Sequence, residues 1–257
     1  MTDQLLDIQQ RDAILLVRLN RMHKRNALSD ELVIALRNTF ENLPTDVRAV
    51  VLGAHGEHFC AGLDLGELTQ RNPGQGVVHS RMWHQAFHAI QFATAPVIAA
   101  LHGAVVGGGL ELAASCHIRV ADETSYYALP EGVRGIFVGG GGSVRIPKLI
   151  GLARMTDMML TGRVYQAEEG ERAGFAQYLV PAGQSFAKAL ELAERAAQNA
   201  PLTNYAITQA LPLIAEQAAD HGYLTEALMT AVTQSAPEAK QRLQAFLQGK
   251  AERVRAC

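Results

Sequence analysis

Residues 95–115 read Ala95-Pro96-Val97-Ile98-Ala99-Ala100-Leu101-His102-Gly103-Ala104-Val105-Val106-Gly107-Gly108-Gly109-Leu110-Glu111-Leu112-Ala113-Ala114-Ser115. The apolar run from about Pro96 to Leu101 predicts a buried strand, the glycines a turn, and the residues from about Gly109 a helix. Three consecutive glycines cost backbone entropy. A chain accepts that cost where φ must be positive or another group must approach the main chain closely. N–H groups at a helix start have no partner inside the helix and lie at the positive end of its dipole. Such a turn suits a bound anion, or a negative charge that develops during a reaction. Glu111 sits in the first turn of this predicted helix. It is either a structural charge at a helix start or an acid/base.

The same order of elements recurs on both sides. Val47 to Gly53 is a buried strand leading into the loop His55-Gly56-Glu57-His58-Phe59-Cys60-Ala61-Gly62-Leu63-Asp64-Leu65 and a short helix. Tyr126 to Glu131 is a short strand or loop, followed by Gly139-Gly140-Gly141-Gly142-Ser143 and a helix through Leu149. Strand, glycine loop and helix start thus appear near residues 50–65, 97–112 and 126–145. The similarity between them is weak, so this is a recurring supersecondary unit rather than a proven repeat. Upstream, residues 5–19 predict two short strands with a turn at Arg11-Asp12. Ser29-Asp30-Glu31 predicts a capped helix start, with Leu32, Leu36, Phe40 and Leu43 at helical spacing and Pro44 closing the helix. Residues 69–79 are polar, and a helix is expected from about Val77 to Phe92. Cys116 to Asp122 predicts another strand. From about Ser185 the chain turns helical, with segments at 186–200, 202–217, 222–233 and 236–254 separated by Pro201, a break at Asp220-His221-Gly222, and Pro237. The expected organisation is an α/β core over residues 1–184 and a helical region over 185–257.

The 257 residues are 48% hydrophobic with a formal net charge of −2, enough for a full core. The near-neutral balance and the lack of a basic run argue against nucleic acid or an anionic membrane as the main partner. Three cysteines, Cys60, Cys116 and Cys257, have no metal-ligand spacing, which predicts a reduced, cytoplasmic protein. The first ten residues carry two aspartates and no long apolar run, so no signal peptide is expected. The apolar region near residues 95–110 is too short to span a bilayer.

Several chemistries are excluded by pattern. No Gly-Lys-Ser/Thr follows the glycines, so they form no Walker loop, and residues 139–142 lack the spacing of a dinucleotide fingerprint. His55 and His58 lack partners at metal-ligand spacing, and no Gly-x-Ser-x-Gly elbow is present. Glu111 and Glu131 each lie beside a glycine-rich turn in apolar sequence. Apolar surroundings raise a carboxyl pKa and suit it to proton transfer near neutrality. The competing readings are a helix-start charge for Glu111 and a surface turn for Glu131.

His58-Phe59-Cys60-Ala61-Gly62-Leu63-Asp64-Leu65 resembles the Phe-x-Ala-Gly-x-Asp-Leu motif of the crotonase (enoyl-CoA hydratase/isomerase) superfamily. Pro96 through Ala113 resembles its second signature, Lys24-Arg25-Asn26-Ala27-Leu28-Ser29 its CoA-contacting loop, and Leu160-Thr161-Gly162-Arg163 with Ala167 and Glu168 a later segment. The motifs keep their order from roughly residue 5 to 250. The resemblance implies an α/β fold, a crotonase-like spiral of ββα units with a C-terminal helical region that helps trimerise, often as a dimer of trimers. It implies an acyl-CoA thioester substrate, with coenzyme A carried by the substrate and no separate cofactor. It implies that the Leu63 and Gly108 N–H groups form an oxyanion hole, and that Lys24, Arg25, Ala27, Ala61, Asp64 and Leu65 lie around the CoA, partly through backbone atoms. By the same match Glu131 delivers the proton at the α-carbon, Glu111 orients and deprotonates the attacking water, and the Gly139 N–H helps position that water.

Members that isomerise a double bond often lack one of the two glutamates, so a chain with both is expected to be a hydratase. The nearest alternatives are an isomerase, lyase or hydrolase of the same fold, and beyond them a non-catalytic CoA- or RNA-binding relative. Two departures bear on the acyl group. Val138-Gly139-Gly140-Gly141-Gly142-Ser143 stands where Pro-Gly-Ala-Gly-Gly-Thr is frequent, and Gly132-Val133-Arg134 follows Glu131. With Tyr126, Tyr127 and Phe137 these suggest a pocket unlike the short-chain fatty acyl one, shaped also by residues 69–82 and the C-terminal helices, and leave aliphatic, cyclic and aromatic acyl chains open.

Overall fold

The computed structural model describes residues 4–67 and 70–250. Cys257, residue 69 of the polar stretch and residues 251–254 of the expected last helix lie outside the described residues. Two compact units divide the chain, residues 1–197 and 198–257.

The first unit opens with β1 (Leu6–Arg11) and β2 (Ile14–Leu19), an antiparallel pair turned at Asp12, whose φ is 52°. Helix α1 (Asp30–Glu41) starts where expected, its Ser29 side chain accepting from the Leu32 amide at 3.3 Å. Then follow β3 (Ala49–Ala54), α2 (Pro73–Gln91), β4 (Val97–Leu101), β5 (Ala104–Val106), α3 (Gly108–Ala114), β6 (Ile118–Asp122) and β7 (Tyr126–Ala128). The unit closes with α4 (Gly142–Ile150), α5 (Leu152–Thr161), β8 (Val164–Gln166), α6 (Ala167–Ala173), β9 (Tyr178–Val180) and α7 (Ser185–Ala197). A six-stranded sheet runs β1-β2-β3-β4-β6-β9, parallel from β2 onward, and a three-stranded sheet runs β5-β7-β8. This is the crotonase-like α/β spiral.

The sequence explains why the large sheet is buried on both faces. Side chains alternate across a strand. Ile14, Leu16, Ala49, Val51, Ile98, Ala100 and Val120 line one face and pack on Ala189, Leu192 and Ala193 of α7. Leu15, Val17, Val50, Leu52, Val97, Ala99 and Leu101 line the other, in one core with Leu32, Leu36, Trp83, Phe87, Leu110 and Leu112 of the helices. A parallel sheet covered on both sides reads as continuous apolar runs, as these strands do.

Several expectations shift. The boundary falls after Ala197 rather than at 184/185. The physical reason is α7: it is helical like the segments after it, but its apolar stripe covers an otherwise bare sheet face. Strand β5 replaces part of the expected turn after Leu101, because Ala104–Val106 pairs with β7 in the second sheet. Helix α2 starts at Pro73, not near Val77. Asn72 and Gln75 form a reciprocal capping box with Pro73 in the first turn, a start signal inside a stretch that reads as polar loop.

The second unit is helical: α8 (Pro201–Tyr205), a π-helical turn (Ala206–Ala210), α9 (Leu211–Ile214), α10 (Ala219–Ser235) and α11 (Pro237–Leu247). The π turn precedes Pro212, whose missing N–H interrupts the α ladder. The expected break at 220–222 is not present, because α10 runs through it. Among the described residues no helix is long and apolar enough to cross a membrane.

Truncating Leu192 of α7 to alanine uncovers part of the sheet face. Leu192→Ala is expected to lower unfolding free energy by about 2–4 kcal/mol; a loss near zero in urea titration would show that α7 is not part of the core.

Candidate active site

Three strand ends build the site. Beyond β3 the chain forms the loop around Gly62; beyond β5 it forms the glycine turn at Gly107; beyond β7 it passes Glu131 to the glycine loop 139–142. The first two loops are laced together. Cys60 N donates to Ala104 O at 2.9 Å and Val106 N to Cys60 O at 3.1 Å. The contact is close because Gly62 has φ 97° and no Cβ; a Cβ there would meet Val106 O at 2.9 Å. Gly107, at φ 53°, has the same character: a Cβ on it would lie 2.7 Å from Glu131 Oε1. The entropy cost expected of the triple glycine is thus matched by a positive φ and a close approach, as the sequence predicts.

A cavity of about 390 Å³ lies among these loops, lined by Leu63, Gly108, Glu111, Glu131 and Gly139 together with residues of α2 and the segment Ile136–Gly140. All five residues expected at the reacting centre therefore share one cavity. The parallel bridge of Leu28 with Leu63 uses Leu28 N to Gly62 O (2.7 Å) and Asp64 N to Leu28 O (2.9 Å). In that pattern the amide of Leu63 itself points away from Leu28. Gly108 is the first residue of α3, ahead of the intrahelical ladder.

Glu111 is 3% exposed. Its Oε1 accepts from Gly140 N at 2.8 Å and Gly142 N at 2.7 Å. It thus caps the N-terminus of α4, a different helix from its own. Burial pushes its carboxyl pKa up, while the Gly142, Gly140 and Gly139 amides and the Arg145 cation pull it back. Glu131 is 8% exposed, and its Oε2 is buried with no hydrogen-bond partner among the described residues. Burial, with a further push from Glu111, raises its carboxyl to about 7. Glu131 is not on the surface, whereas Glu111 is a charge at a helix start, that of α4 as well as its own, and it also lines the cavity.

The six residues matched to the CoA do not line this cavity. They gather along the seam between two loops. Ala61 N donates to Arg25 O at 3.1 Å, and Arg25 has a left-handed φ of 51°. The Lys24 side chain is half exposed and Leu65 is exposed. Asp64 is internal: Oδ2 pairs with Arg21 at 2.8 Å and Oδ1 accepts from Gly66 N at 3.0 Å. The Arg21 hydrogen bond, Gly66 and Lys24 hold its carboxyl below the usual range. Asn26 ties this seam to the 55–58 loop, donating to His55 O and His58 O at 2.8 Å each.

The stretch 69–82, expected to help shape the pocket, supplies most of the α2 wall, though no single residue of it stood out in the sequence. Gly76, His79, Ser80 and Trp83 face the cavity at helical spacing. His79 Nε2 lies 2.7 Å from Asp30 Oδ1, and the Ser80 hydroxyl donates to Gly139 O at 2.7 Å. A stripe running from 76 to 83 was the available signal, hidden because the helix start was placed too late. Arg145 did not stand out either; it donates to Gly140 O at 3.0 Å and to Gln91 Oε1 at 2.7 Å. The other walls are Arg71 and the apolar side chains of Leu63, Ile136, Val138 and Phe137, the last 69% exposed. Tyr127 is not a wall; it is buried and stacks on Phe175 at 4.7 Å between centroids. Among the described residues no cluster of His, Cys, Asp and Glu fits a metal ion.

The chain is similar to known proteins in both sequence and fold. The sequence model of the enoyl-CoA hydratase/isomerase family matches residues 9–253. The 2,3-dehydroadipyl-CoA hydratase of Escherichia coli (strain K12) is 32% identical over 250 residues, covering 96% of each chain. A solved protein of Rhodopseudomonas palustris CGA009, whose enoyl-CoA hydratase assignment is provisional, superposes with a TM-score of 0.93 at 58% identity, covering 96% of this chain and 95% of that one. The enoyl-CoA hydratase of Bacillus anthracis superposes with a TM-score of 0.90 at 30% identity, covering 97% of this chain and 98% of that one.

The raised Glu131 carboxyl has a consequence for stability. A carboxyl whose folded pKa lies above its unfolded value favours the fold while protonated, and that contribution is lost as pH rises through the folded value. The window here runs from the ordinary 4.5 to about 7. Glu131→Gln is expected to match the wild type in unfolding free energy near pH 4.5 and to exceed it at pH 8, by at most about 3 kcal/mol in urea titration. An equal difference at both pH values would contradict the shift.

Proposed function

The chain belongs to the enoyl-CoA hydratase/isomerase family, and on that basis we propose that it adds water reversibly across the 2,3-double bond of an acyl-CoA thioester. The observation that carries this reading is two buried carboxylates in one cavity, one oriented by loop amides and one unpartnered at Oε2. An isomerase needs one acid/base; a second, separately held carboxylate gives water its own base.

In this reading the thioester oxygen sits between the N–H groups of Leu63 and Gly108. Attack of water on the β-carbon drives negative charge onto that oxygen. Each fixed donor there is worth about 3 kcal/mol of barrier. Ionised Glu111 takes a proton from the water as its oxygen bonds to the β-carbon. Protonated Glu131 gives its proton to the α-carbon as the enolate collapses. Proton transfer from Glu111 back to Glu131 through water resets the pair. The Gly139 amide supports the water. No cofactor is used beyond the CoA that the substrate carries.

The CoA lies along the loop seam. Lys24 and Arg25 supply cations for its phosphates, and Ala27, Ala61 and Leu65 offer main-chain groups. Asp64 contributes through its backbone, since its side chain is committed to Arg21. The apolar walls favour a bulky acyl chain, and Arg71 and His79 at the cavity make an ω-carboxylated one the most informative comparison. We assign the protein to the cytoplasm, in line with its two buried free thiols, Cys60 and Cys116. We further assign a homotrimer or a dimer of trimers. Exposed Leu202, Tyr205, Leu224, Leu228 and Val232 of the helical unit support burial against other copies; light scattering at the mass of a monomer would rule it out.

Glu111→Gln and Glu131→Gln are each expected to lower turnover by about 10²–10⁴-fold, with enoyl-CoA binding retained in calorimetry. Wild-type rates in both variants would overturn the mechanism. In ¹⁸O-labelled water the label should appear on the β-carbon; a shifted double bond without label would make the protein an isomerase. In the hydration direction the rate should fall as pH rises through about 7, where Glu131 loses its proton. The glutamates titrate as a pair, so the limbs report both. Crotonyl, long-chain, aromatic and ω-carboxylated enoyl-CoAs would rank the acyl group.

A further inference from the structure

The loop Gly139-Gly140-Gly141-Gly142 has no side chains to restrain it, yet it must present two amides to one carboxylate oxygen. Glycine populates a wide range of φ and ψ, so a peptide unit in such a run reverses at low cost. A reversed Gly139–Gly140 peptide would turn a carbonyl, not an N–H, towards Glu111. Something outside the loop has to select the correct orientation.

Two side chains occupy the places where such selection is made. In a trans peptide the C=O and the next N–H point in opposite directions. Gly139 O and Gly140 N belong to one peptide unit. The Ser80 hydroxyl donates to the oxygen at 2.7 Å, and the nitrogen donates to Glu111 Oε1 at 2.8 Å. The two bonds therefore hold the same unit from opposite sides. The next unit, Gly140–Gly141, has its oxygen held by the Arg145 side chain at 3.0 Å, while Gly142 N belongs to the unit after it, whose oxygen accepts from the Val144 and Arg145 amides of α4. Arg145 is itself fixed by Gln91 at 2.7 Å. Ser80 has one proton, spent on Gly139 O, so its contact with His84 Nε2 at 3.3 Å makes Ser80 the acceptor. The chain α2–Ser80–loop–Glu111 is thus a continuous set of directed hydrogen bonds.

We propose that Ser80 is a positioning residue: it holds the Gly139 carbonyl on the outer side of the loop and so keeps the Gly140 N–H turned to Glu111, while Arg145 steadies the neighbouring Gly140–Gly141 unit. Ser80 touches no reacting atom in this scheme and acts through the loop; Arg145 also acts on Glu111 directly through its charge. The inference rests on the hydratase reading for its kinetic consequence, but the orientation of the loop is measurable without it. Glu111 faces two other charged groups, Arg145 from α4 and Glu131 from the segment after β7. Arg145 in turn is faced by His84 and His88 of α2. Loss of the clamp removes an amide donor from the carboxylate. Glu111 then ionises less readily, and the acid limb of the rate profile moves to higher pH.

The test compares Ser80→Ala, Ser80→Thr and Arg145→Gln. Ser80→Ala is expected to lower kcat about tenfold, the worth of one hydrogen bond to an oriented group, with KM within about twofold. Its acid limb should rise, and Ser80→Thr, which keeps the hydroxyl, should restore both values. Arg145→Gln should move the acid limb the same way. Should Arg145→Gln not fold, Ser80→Ala with its threonine rescue decides alone. Wild-type kcat and acid limb in Ser80→Ala, or a loss that threonine does not repair, overturns the proposal. Amide hydrogen exchange at Gly140 gives the independent readout: it should be faster in Ser80→Ala than in wild type, with Gly142, whose peptide is held by the start of α4, as the reference. If the wild type hydrates no enoyl-CoA, the hydratase reading fails. Exchange at Gly140 then decides the clamp, an unchanged rate overturning it.

Discussion

A carboxyl group removed from water resists ionisation, and a second carboxylate nearby makes it resist more. Glu111 is kept usable by substituting backbone amides for water. Gly140 and Gly142 donate to the same oxygen, and the cation of Arg145 lies close enough to help. Glu131 receives no comparable support at Oε2, and its carboxyl rises to about 7. Burial raises both carboxyls, but amides and a cation offset the rise at Glu111, while Glu131 Oε2 has no partner among the described residues. That difference in environment is what the proposed base and acid roles rest on.

The amides reach Glu111 only because the glycine loop can come so close. A Cβ on Gly142 would lie 2.8 Å from Glu111 Cγ, and one on Gly140 would lie 2.7 Å from the Phe87 ring. The scaffold makes such tolerances possible. Helix α3 carrying Glu111 is buried along its whole length, and β4 before it lies at the centre of a sheet packed on both faces. Loops at the ends of rigid strands inherit that rigidity. The cost falls on stability: a cavity with two buried acids, one with an oxygen that has no partner among the described residues, is a place where the fold gives up free energy to hold reactive groups.

Legibility followed the range of the interactions. The Ser29 cap, the turn at Asp12 and the apolar strands β2, β3 and β4 were readable because caps, turns and alternating burial are local. Glu111 and Glu131 were readable as candidates because glycine and apolar neighbours flank them in sequence. Local pattern left each with a bland alternative, a helix-start charge or a surface turn. Only the meeting of β5, β7 and the 139–142 loop took Glu131 off the surface and set Glu111 at the start of a second helix inside the cavity. The resemblance placed Leu63 and Gly108 together; the laced loops at Cys60, Ala104 and Val106 give the physical reason. Helix α7 could not be separated from later helices by composition, since its distinction is the sheet face that it covers.

By itself the sequence determined the buried parallel strands, the recurrence of strand, glycine turn and helix, and the family, because these depend on neighbours in the chain. Tertiary structure alone decided that Glu111 caps α4, that Asp64 is committed to Arg21, and that Ser80 and Arg145 hold the loop. Each of those bonds joins residues about 30 or more positions apart, apart from Arg145 and Gly140. Even that pair needed the α2 residue Gln91 to fix the arginine. A hydrogen bond is set by distance and direction in space, and no spacing along the chain encodes either.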